Sequence, residues 1–130
     1  MNYNGPAQFS YTVTDGNGGS SNAVATFSVA AVNDLPVVQN ETASVDEDNT
    51  IYFTTQSLLA NDSDVDVSTN TQVLSIDSVS AGVNGTVGFM PDGRIFFRPN
   101  ENYNGNASFT YSVSDGAGGL VDGQVELTVN

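Results

Sequence analysis

The feature that most constrains the fold is a passage that occurs twice, 100 residues apart. NYNGPAQFSYTVTDGNGG begins at Asn2, and NYNGNASFTYSVSDGAGG begins at Asn102. Of these 18 positions, 12 are identical, and over the longer stretches 2–29 and 102–129 the identities number 13 of 28. A period of about 100 residues in a chain of 130 predicts one complete unit and the end of a preceding one, as in a tandem array.

Inside the repeated passage, large apolar residues alternate with small hydroxyl-bearing residues. Phe109, Tyr111 and Val113 follow this period of two, and residues 9–14 repeat it. Such alternation is typical of an antiparallel strand with one face in a core and the other in water. Glycine after aspartate or asparagine separates these runs and indicates tight turns. The nearest approach to a helix is 55–60, which is predicted to form one turn at most.

These patterns predict an all-β fold: a seven-stranded sandwich preceded by a partial-repeat hairpin. Residues 7–14 and 21–29 would be a second copy of the last two strands of the sandwich. The predicted organisation is 1–30 as the last two strands of a preceding repeat, 31–35 as a linker and 36–130 as the complete repeat. The predicted strands of that repeat are 37–45, 50–56, 72–80, 85–90, 94–98, 107–114 and 121–129.

The composition limits the partners and the chemistry that we expect. Fifteen acidic residues outnumber Arg94 and Arg98, the only basic residues, and the net charge is −13. Nucleic acids and anionic lipid surfaces are bound through basic side chains, so neither is expected as a partner. No stretch approaches the roughly 18 apolar residues of a membrane span, and no membrane insertion is predicted. Histidine and cysteine are absent, which leaves oxygen ligands for a metal ion.

Acidic residues concentrate in the loops at one end of the predicted sandwich. If successive strands run in opposite directions, the linker, the loop 61–66 and the turn at Asp115 share the end at which the first strand begins, here called the upper end. The loop around 46–48 lies at the lower end, where a following repeat would join. Crowded carboxylates repel one another unless a cation neutralises them, and ligand sets of oxygen alone favour Ca²⁺. The candidate calcium ligands are Asn33, Asp34, Glu47, Asp48, Asp62, Asp64, Asp66 and Asp115.

Simpler interpretations of these acids stay open. The sequence DSDVD at 62–66 opens like an EF-hand loop, but Val67 and Val73 stand where that loop needs glycine and glutamate. Three acids at a spacing of two also suit a solvated loop. Asp92 in the sequence PDGR has a conformational role as a turn residue, and Asp115 has the same reading, although it continues the inward face of the preceding strand.

Several motifs in a fixed order resemble one family. They are VNDLP at 32–36, VDED at 45–48, LLANDSDVD at 58–66, DGRIFFRPNENYNG at 92–105 and FTYSVSDGAGG at 109–119. Together they resemble the cadherin-like tandem repeat of large RTX-type bacterial surface adhesins exported by type I secretion. The resemblance covers 31–130, and residues 1–30 match the tail of the repeat. It implies an immunoglobulin/cadherin-like sandwich, outside the cell, that binds Ca²⁺ at its junctions with neighbouring repeats.

The resemblance also implies roles for individual residues. Asn33 and Asp34 match the linker ligands of cadherins, and the aspartates of 62–66 match ligands from the top of the domain that follows the linker. Glu47 and Asp48 fall where a lower-end ligand is expected. The implied function is that of a non-catalytic extender, which holds a distal binding domain away from the cell.

Two other function classes compete with this one. A sandwich module that binds a sugar or a protein partner could use Tyr3, Tyr52 and Tyr103, although Tyr103 is better explained as a tyrosine that braces a strand corner. A glycoside hydrolase would use paired carboxylates, but these acids are crowded on loops without an evident cleft. Residues 1–30 are expected to form a mobile hairpin, or to pair or exchange strands with a neighbouring molecule.

Overall fold

The computed structural model describes residues 3–67 and 72–130. It divides into two compact units, Met1–Val32 and Asn33–Asn130. Both units are built from β-strands, as the alternating pattern predicts. Within the described ranges, no helix has the length and apolar character needed to cross a membrane.

The first unit is a two-stranded antiparallel hairpin. Strand β1, Gly5–Thr14, pairs with β2, Ser20–Val29, in an uninterrupted register. Asp15 closes the turn, because its Oδ1 accepts hydrogen bonds from the backbone N–H groups of Asn17 at 2.8 Å and Gly19 at 3.0 Å. The turn glycines supply the positive φ angles that residues with a Cβ seldom adopt.

The second unit contains two sheets. The larger sheet has the strand order β3-β9-β8-β5, in which β3 runs parallel to β9 and the other pairs are antiparallel. The smaller sheet has the antiparallel order β4-β7-β6. The elements of this unit are β3 Glu41–Val45, β4 Ile51–Phe53, α1 Thr55–Leu58, β5 Ser75–Val83, β6 Gly85–Phe89, β7 Ile95–Pro99, β8 Gly105–Ser114 and β9 Leu120–Val129.

The strands follow the predicted order, and three predicted ranges were wrong at their boundaries. The first predicted strand, 37–45, begins only at Glu41, because Val37 forms an isolated bridge with Ser63 instead. The second, 50–56, ends at Phe53, because the Thr54 side chain accepts a hydrogen bond from Ser57 N at 3.1 Å and caps the short helix. The third, 72–80, lies three residues later, at 75–83. The other boundaries agree to within two residues.

The core lies where the inward faces of the two sheets meet. Phe97 on β7 stacks on Phe109 of β8 with ring centroids 5.8 Å apart, and Phe53 of β4 meets the same ring edge-on at 5.6 Å. Burying such aromatic side chains supplies much of the driving force for folding. The fully buried core residues also include Leu58, Ile95, Tyr111, Val113 and Val125.

Candidate metal centre

The linker is fastened to two buried carboxylates at the upper end of the second unit. The Asn33 side-chain amide donates a hydrogen bond to Asp115 Oδ2 at 2.7 Å, and Asp34 N donates to Asp66 Oδ2, also at 2.7 Å. Asp66 is 1% exposed and Asp115 is fully buried. The linker, the loop 61–66 and the turn after β8 therefore meet through four of the predicted ligand residues.

Asp115 closes a turn and also faces the linker. Its Oδ1 closes the β8–β9 turn by accepting hydrogen bonds from Ala117 N at 2.7 Å and Gly119 N at 2.9 Å. Its Oδ2 faces the linker and receives the bond from Asn33. The Asn33 amide and then the Ala117 N–H hold the pKa of the Asp115 carboxyl below its usual value, so the buried side chain stays ionised at neutral pH.

The loop 61–66 is ordered by its own aspartates. Asp64 Oδ1 accepts a hydrogen bond from Asp66 N at 2.7 Å, and Asp62 Oδ1 accepts one from Gln39 N at 2.9 Å. The second oxygens, Oδ2 of Asp62 and Oδ2 of Asp64, are buried and have no hydrogen-bond partner among the described residues. Burial raises the pKa of Asp62 above its usual value, and the bond from Gln39 offsets part of that rise.

Two residues that were not predicted also belong to this end. The Gln72 side-chain amide donates to Asn33 Oδ1 at 2.6 Å, while its own Oε1 is buried without a partner among the described residues. Gln39 joins Asp62 to the core, because its carbonyl oxygen accepts the hydrogen bond of the Tyr111 hydroxyl at 3.0 Å. Neither glutamine was distinguished in the sequence by a motif or by charge.

The pKa of the core residue Tyr111 is affected by the carboxylates of this end. Burial is the main cause that raises the pKa of the Tyr111 hydroxyl well above its usual value, and the negative charges of Asp62 and Glu41 add to the effect. The hydroxyl therefore stays protonated and continues to donate to Gln39.

Glu47 and Asp48 lie in a different environment at the lower end. Glu47 N donates to the carbonyl oxygen of Asn130 at 2.8 Å, beside the end of β9. Asp48 has a φ of 63° and accepts a hydrogen bond from Asn102 N at 3.1 Å. The first bond holds the loop to the residue after β9, and the second holds it to the β7–β8 connection. The structure does not bring these two residues into the upper group.

The upper-end residues carry the oxygen ligands that a hard cation prefers, although the described residues do not form a complete coordination shell. Within residues 3–67 and 72–130, no group of three or more carboxylates lies close enough to hold a metal ion. The donors are nevertheless all oxygens, and two of them are buried carboxylate atoms without a described partner. Unpaired buried carboxylate oxygens are costly in free energy, and Ca²⁺ prefers such ligands. The donor set therefore fits Ca²⁺ as a partial site.

The three tyrosines considered for sugar binding have different environments. Tyr103 braces the β7–β8 corner: its hydroxyl donates to the carbonyl oxygen of Asn106 at 2.6 Å and accepts from the Asn84 amide at 2.9 Å. Tyr3 makes the equivalent bond to the carbonyl oxygen of Pro6 in the hairpin. Tyr52 remains 48% exposed on β4.

Comparison with known proteins shows the family to which the sequence belongs. The sequence matches the cadherin-like domain over residues 1–30 and again over 32–130, which is nearly the whole chain. The chain belongs to the cadherin-like domain family. Cadherin-like domains generally bind Ca²⁺ and are typically extracellular. The prediction of a cadherin-like domain is thereby confirmed, and membership suggests a structural or adhesion module.

Other comparisons add little to this cadherin-like assignment. None of the curated proteins compared with the chain matches it. Among solved structures, an endo-fucoidan hydrolase of glycoside hydrolase family 107, MfFcnA4, is similar with a TM-score of 0.45 and 16% identity, over 96% of this chain and 19% of that one. A second enzyme of that family, MfFcnA9, gives a TM-score of 0.39 and 15% identity, over 95% and 22%. This chain thus spans about a fifth of either enzyme, and such low similarity carries no functional argument.

Proposed function

We propose that this chain is part of a Ca²⁺-rigidified, non-catalytic extender in a bacterial cell-surface adhesin of the RTX type. The observation that carries the proposal is the attachment of the linker residues Asn33 and Asp34 to the buried carboxylates of Asp115 and Asp66. A linker held in this way would respond to the charge state of the upper end.

The upper end is where neutralisation by a cation has the largest effect. Asp66 and Asp115 are buried, and the Oδ2 atoms of Asp62 and Asp64 are buried as well. Asp34, Asp62, Asp64, Asp66 and Asp115, with the amide oxygen of Asn33, are the residues from which this unit would contribute its share of the ligands. A bound Ca²⁺ would supply the positive charge that balances these carboxylates and would join the linker to the loop. Without it, hydrogen bonds from Asn33 and Asp34 would still attach the linker to Asp115 and Asp66.

The site is proposed to be completed between repeats. Ca²⁺ takes six to eight oxygen ligands, more than the described part of this unit brings together. In a tandem array, the lower end of one repeat meets the upper end of the next, so the equivalents of Glu47 and Asp48 in the preceding repeat would face this linker. Glu47 and Asp48 themselves would serve the junction that follows.

The hairpin β1–β2 is proposed to be the end of that preceding repeat, with 31–35 as the linker and 36–130 as a seven-stranded cadherin-like sandwich. The support is the pairing register, which is the same in β1–β2 as in β8–β9 with an offset of 100 at every position. The neighbouring repeats of the same chain are then its main partners, and strand exchange between molecules through 1–30 is a secondary one.

Thermal unfolding of a tandem chain tests the proposal. Residues 31–130 repeated twice would create one complete junction, and its melting temperature would be measured in EGTA, in 10 mM Mg²⁺ and in 10 mM Ca²⁺. Extracellular Ca²⁺ modules bind with dissociation constants of roughly 10⁻⁴–10⁻³ M, so 10 mM Ca²⁺ should add about 1.4–2.7 kcal/mol of stability. We expect a rise of at least about 5 °C with Ca²⁺ and a smaller one with Mg²⁺.

Matched variants separate the site from general charge screening. Asp66→Asn should abolish most of the rise, whereas Asp77→Asn, which removes an exposed aspartate on β5, should leave it intact. A melting temperature that does not respond to Ca²⁺, or an equal loss in both variants, would refute the proposed calcium site.

A further inference from the structure

The two basic residues of the chain lie at and just before one strand, β7. Arg94 precedes β7, Arg98 lies within it, and Phe96 stands between them. Successive residues of a strand point to opposite faces. Since Ile95 and Phe97 are fully buried in the core, Arg94, Phe96 and Arg98 lie on the outer face of the smaller sheet.

Neighbouring strands extend this outer face into an aromatic surface. Tyr52 of β4 is paired with Phe96, and the Arg94 guanidinium carbon lies 5.0 Å from the centroid of the Tyr52 ring. On the other side, Gly88 of β6 is paired with Phe96. A Cβ at Gly88 would lie 2.9 Å from Phe96 Cε1, so the Phe96 ring covers the glycine. Tyr52 and Phe96 therefore form an aromatic surface. Gly88, the β6 residue next to Phe96, adds no side chain to it.

The Arg94 guanidinium lies over one face of the Tyr52 ring, and it is bonded to Asp92. Arg94 Nε donates to Asp92 Oδ2 at 2.7 Å, and Arg94 N donates to Asp92 Oδ1 at 3.1 Å. These bonds orient the guanidinium and use one of its five N–H donors, while each carboxylate oxygen keeps a free lone pair. The Arg94–Asp92 pair, whose side chains are 46% and 52% exposed, thus offers donors and acceptors next to each other.

This combination matches the chemistry of a sugar ring. A pyranose presents an apolar face of C–H groups, which packs on aromatic rings, and an edge of hydroxyl groups, each of which both donates and accepts hydrogen bonds. Phe96 and the face of the Tyr52 ring turned away from Arg94 would take the apolar face of the sugar. The Arg94–Asp92 pair would take adjacent hydroxyl groups. A protein partner with an apolar surface would offer no hydrogen-bonding groups to the Arg94–Asp92 pair.

The negative charge of the protein favours a neutral glycan over an anionic one at this face. The chain carries a net charge of −13, Asp92 offsets Arg94, and Arg98 lines a shallow depression together with Asp48 and Glu101. Sulfated or uronic-acid polymers and nucleic acids would be repelled by this field. We propose that the outer face formed by Tyr52, Phe96 and the Arg94–Asp92 pair binds a neutral polysaccharide. This binding function does not depend on the proposed calcium site.

Affinity electrophoresis of the 130-residue chain tests this binding face. The probes are four soluble neutral polysaccharides, a β-1,3-glucan, a β-1,4-glucan, a mannan and a xylan, with alginate as the polyanion. We expect at least one neutral polysaccharide to retard the wild-type protein and alginate to have no effect. Tyr52→Ala should raise the dissociation constant tenfold or more, and Tyr52→Phe should stay within about twofold of the wild type.

Further variants keep the result interpretable. Tyr11→Ala removes a tyrosine of similar exposure from the hairpin and should bind as the wild type does. Arg94→Gln should weaken binding about fivefold, and it serves as the second probe if Tyr52→Ala does not melt like the wild type. The proposal is wrong if no neutral polysaccharide binds, if alginate alone binds, or if neither variant weakens binding. It is also wrong if sedimentation shows that Tyr52→Ala acts only on self-association of the chain.

Discussion

The hairpin β1–β2 and the strands β8–β9 share one local structure in two different surroundings. Gly5 pairs with Val29 just as Gly105 pairs with Val129, and the registers agree along both strands. Asp15 and Asp115 close the two turns with the same backbone bonds. Pairing and turn are thus decided by local sequence, through alternation and turn chemistry.

Burial differs between the copies because it depends on other strands. Phe9 is 56% exposed, whereas its equivalent Phe109 is fully buried between the two sheets. The same residues that are core in β8 therefore form an apolar surface in β1. The hairpin sequence therefore pairs in both surroundings, while a core also requires the five strands that precede β8 in the complete unit.

The largest expected difference between the copies concerns this phenylalanine. Phe109→Ala should lower the free energy of unfolding of the 33–130 unit by about 3–5 kcal/mol, because it leaves a cavity under Phe53 and Phe97. Phe9→Ala should change the same transition by less than about 0.5 kcal/mol. Urea unfolding followed by circular dichroism measures both values. Similar losses in the two variants would show that Phe9 is also a core residue.

A smaller effect is expected at a position where the two copies differ. A Cβ at Gly123 would lie 2.6 Å from both the Tyr111 ring and Val38 Cγ1, whereas the hairpin carries Ala23 at the equivalent position. Gly123→Ala should therefore cost about 1–3 kcal/mol through overpacking, and Ala23→Gly should leave the 33–130 transition unchanged. A neutral Gly123→Ala variant would show that the core accepts the alanine that the hairpin carries at this position.

The tyrosine pair should give a still smaller effect at neutral pH. Tyr111→Phe removes the hydrogen bond to the Gln39 carbonyl and should cost about 1 kcal/mol, with Tyr11→Phe as the matched control. Because the folded-state pKa of Tyr111 is raised, its contribution to stability is complete below about pH 10 and is lost as the pH rises further. Urea titrations from pH 8 to 11 should show this alkaline loss, and Tyr111→Phe should reduce it. An identical alkaline profile in that variant would contradict the assignment.

The smallest effect concerns the two turn aspartates. Both have lowered pKa values, but Asn33 is the main cause only for Asp115, whereas the Asn17 N–H is the main cause for Asp15. Asn33→Ala should raise the pKa of Asp115 toward its usual value and leave that of Asp15 unchanged, as followed by carboxyl NMR shifts in one sample. Since a lowered pKa gives stability that is lost as the pH falls below about 4, the variant should also lose less stability in acid. An unchanged Asp115 titration would show that the linker does not control it.

The sequence was sufficient for the parts of the structure that local rules decide. Alternation and turn residues predicted the order of the strands, and the order of the strands predicted that Asn33, Asp34, Asp66 and Asp115 share one end. The boundaries at 37–40 and 54–56 could not be predicted, because a bridge to Ser63 and a cap on a short helix depend on three-dimensional context.

The finer structure of the site was also beyond sequence reasoning. Gln39 and Gln72 contact the site through neutral amide groups from positions outside the acidic motifs, so no charge pattern distinguished them. The outer face around Tyr52 depends on its pairing with Phe96, which only the assembled sheet determines. The sequence did single out Tyr52, but together with two tyrosines that are bonded at strand corners.

The most direct test of the proposed role is the distance between two repeats as a function of Ca²⁺. In the tandem chain of residues 31–130, Ser78→Cys in each unit gives two exposed labelling sites, and the natural sequence contains no competing cysteine. Pulsed electron–electron double resonance between spin labels on these cysteines would measure the distribution of distances between the two repeats. A calcium-rigidified extender predicts a broad distribution in EGTA and a narrow one in 10 mM Ca²⁺, with the broad form retained in Asp66→Asn. Distributions of equal width with and without Ca²⁺ would contradict this role.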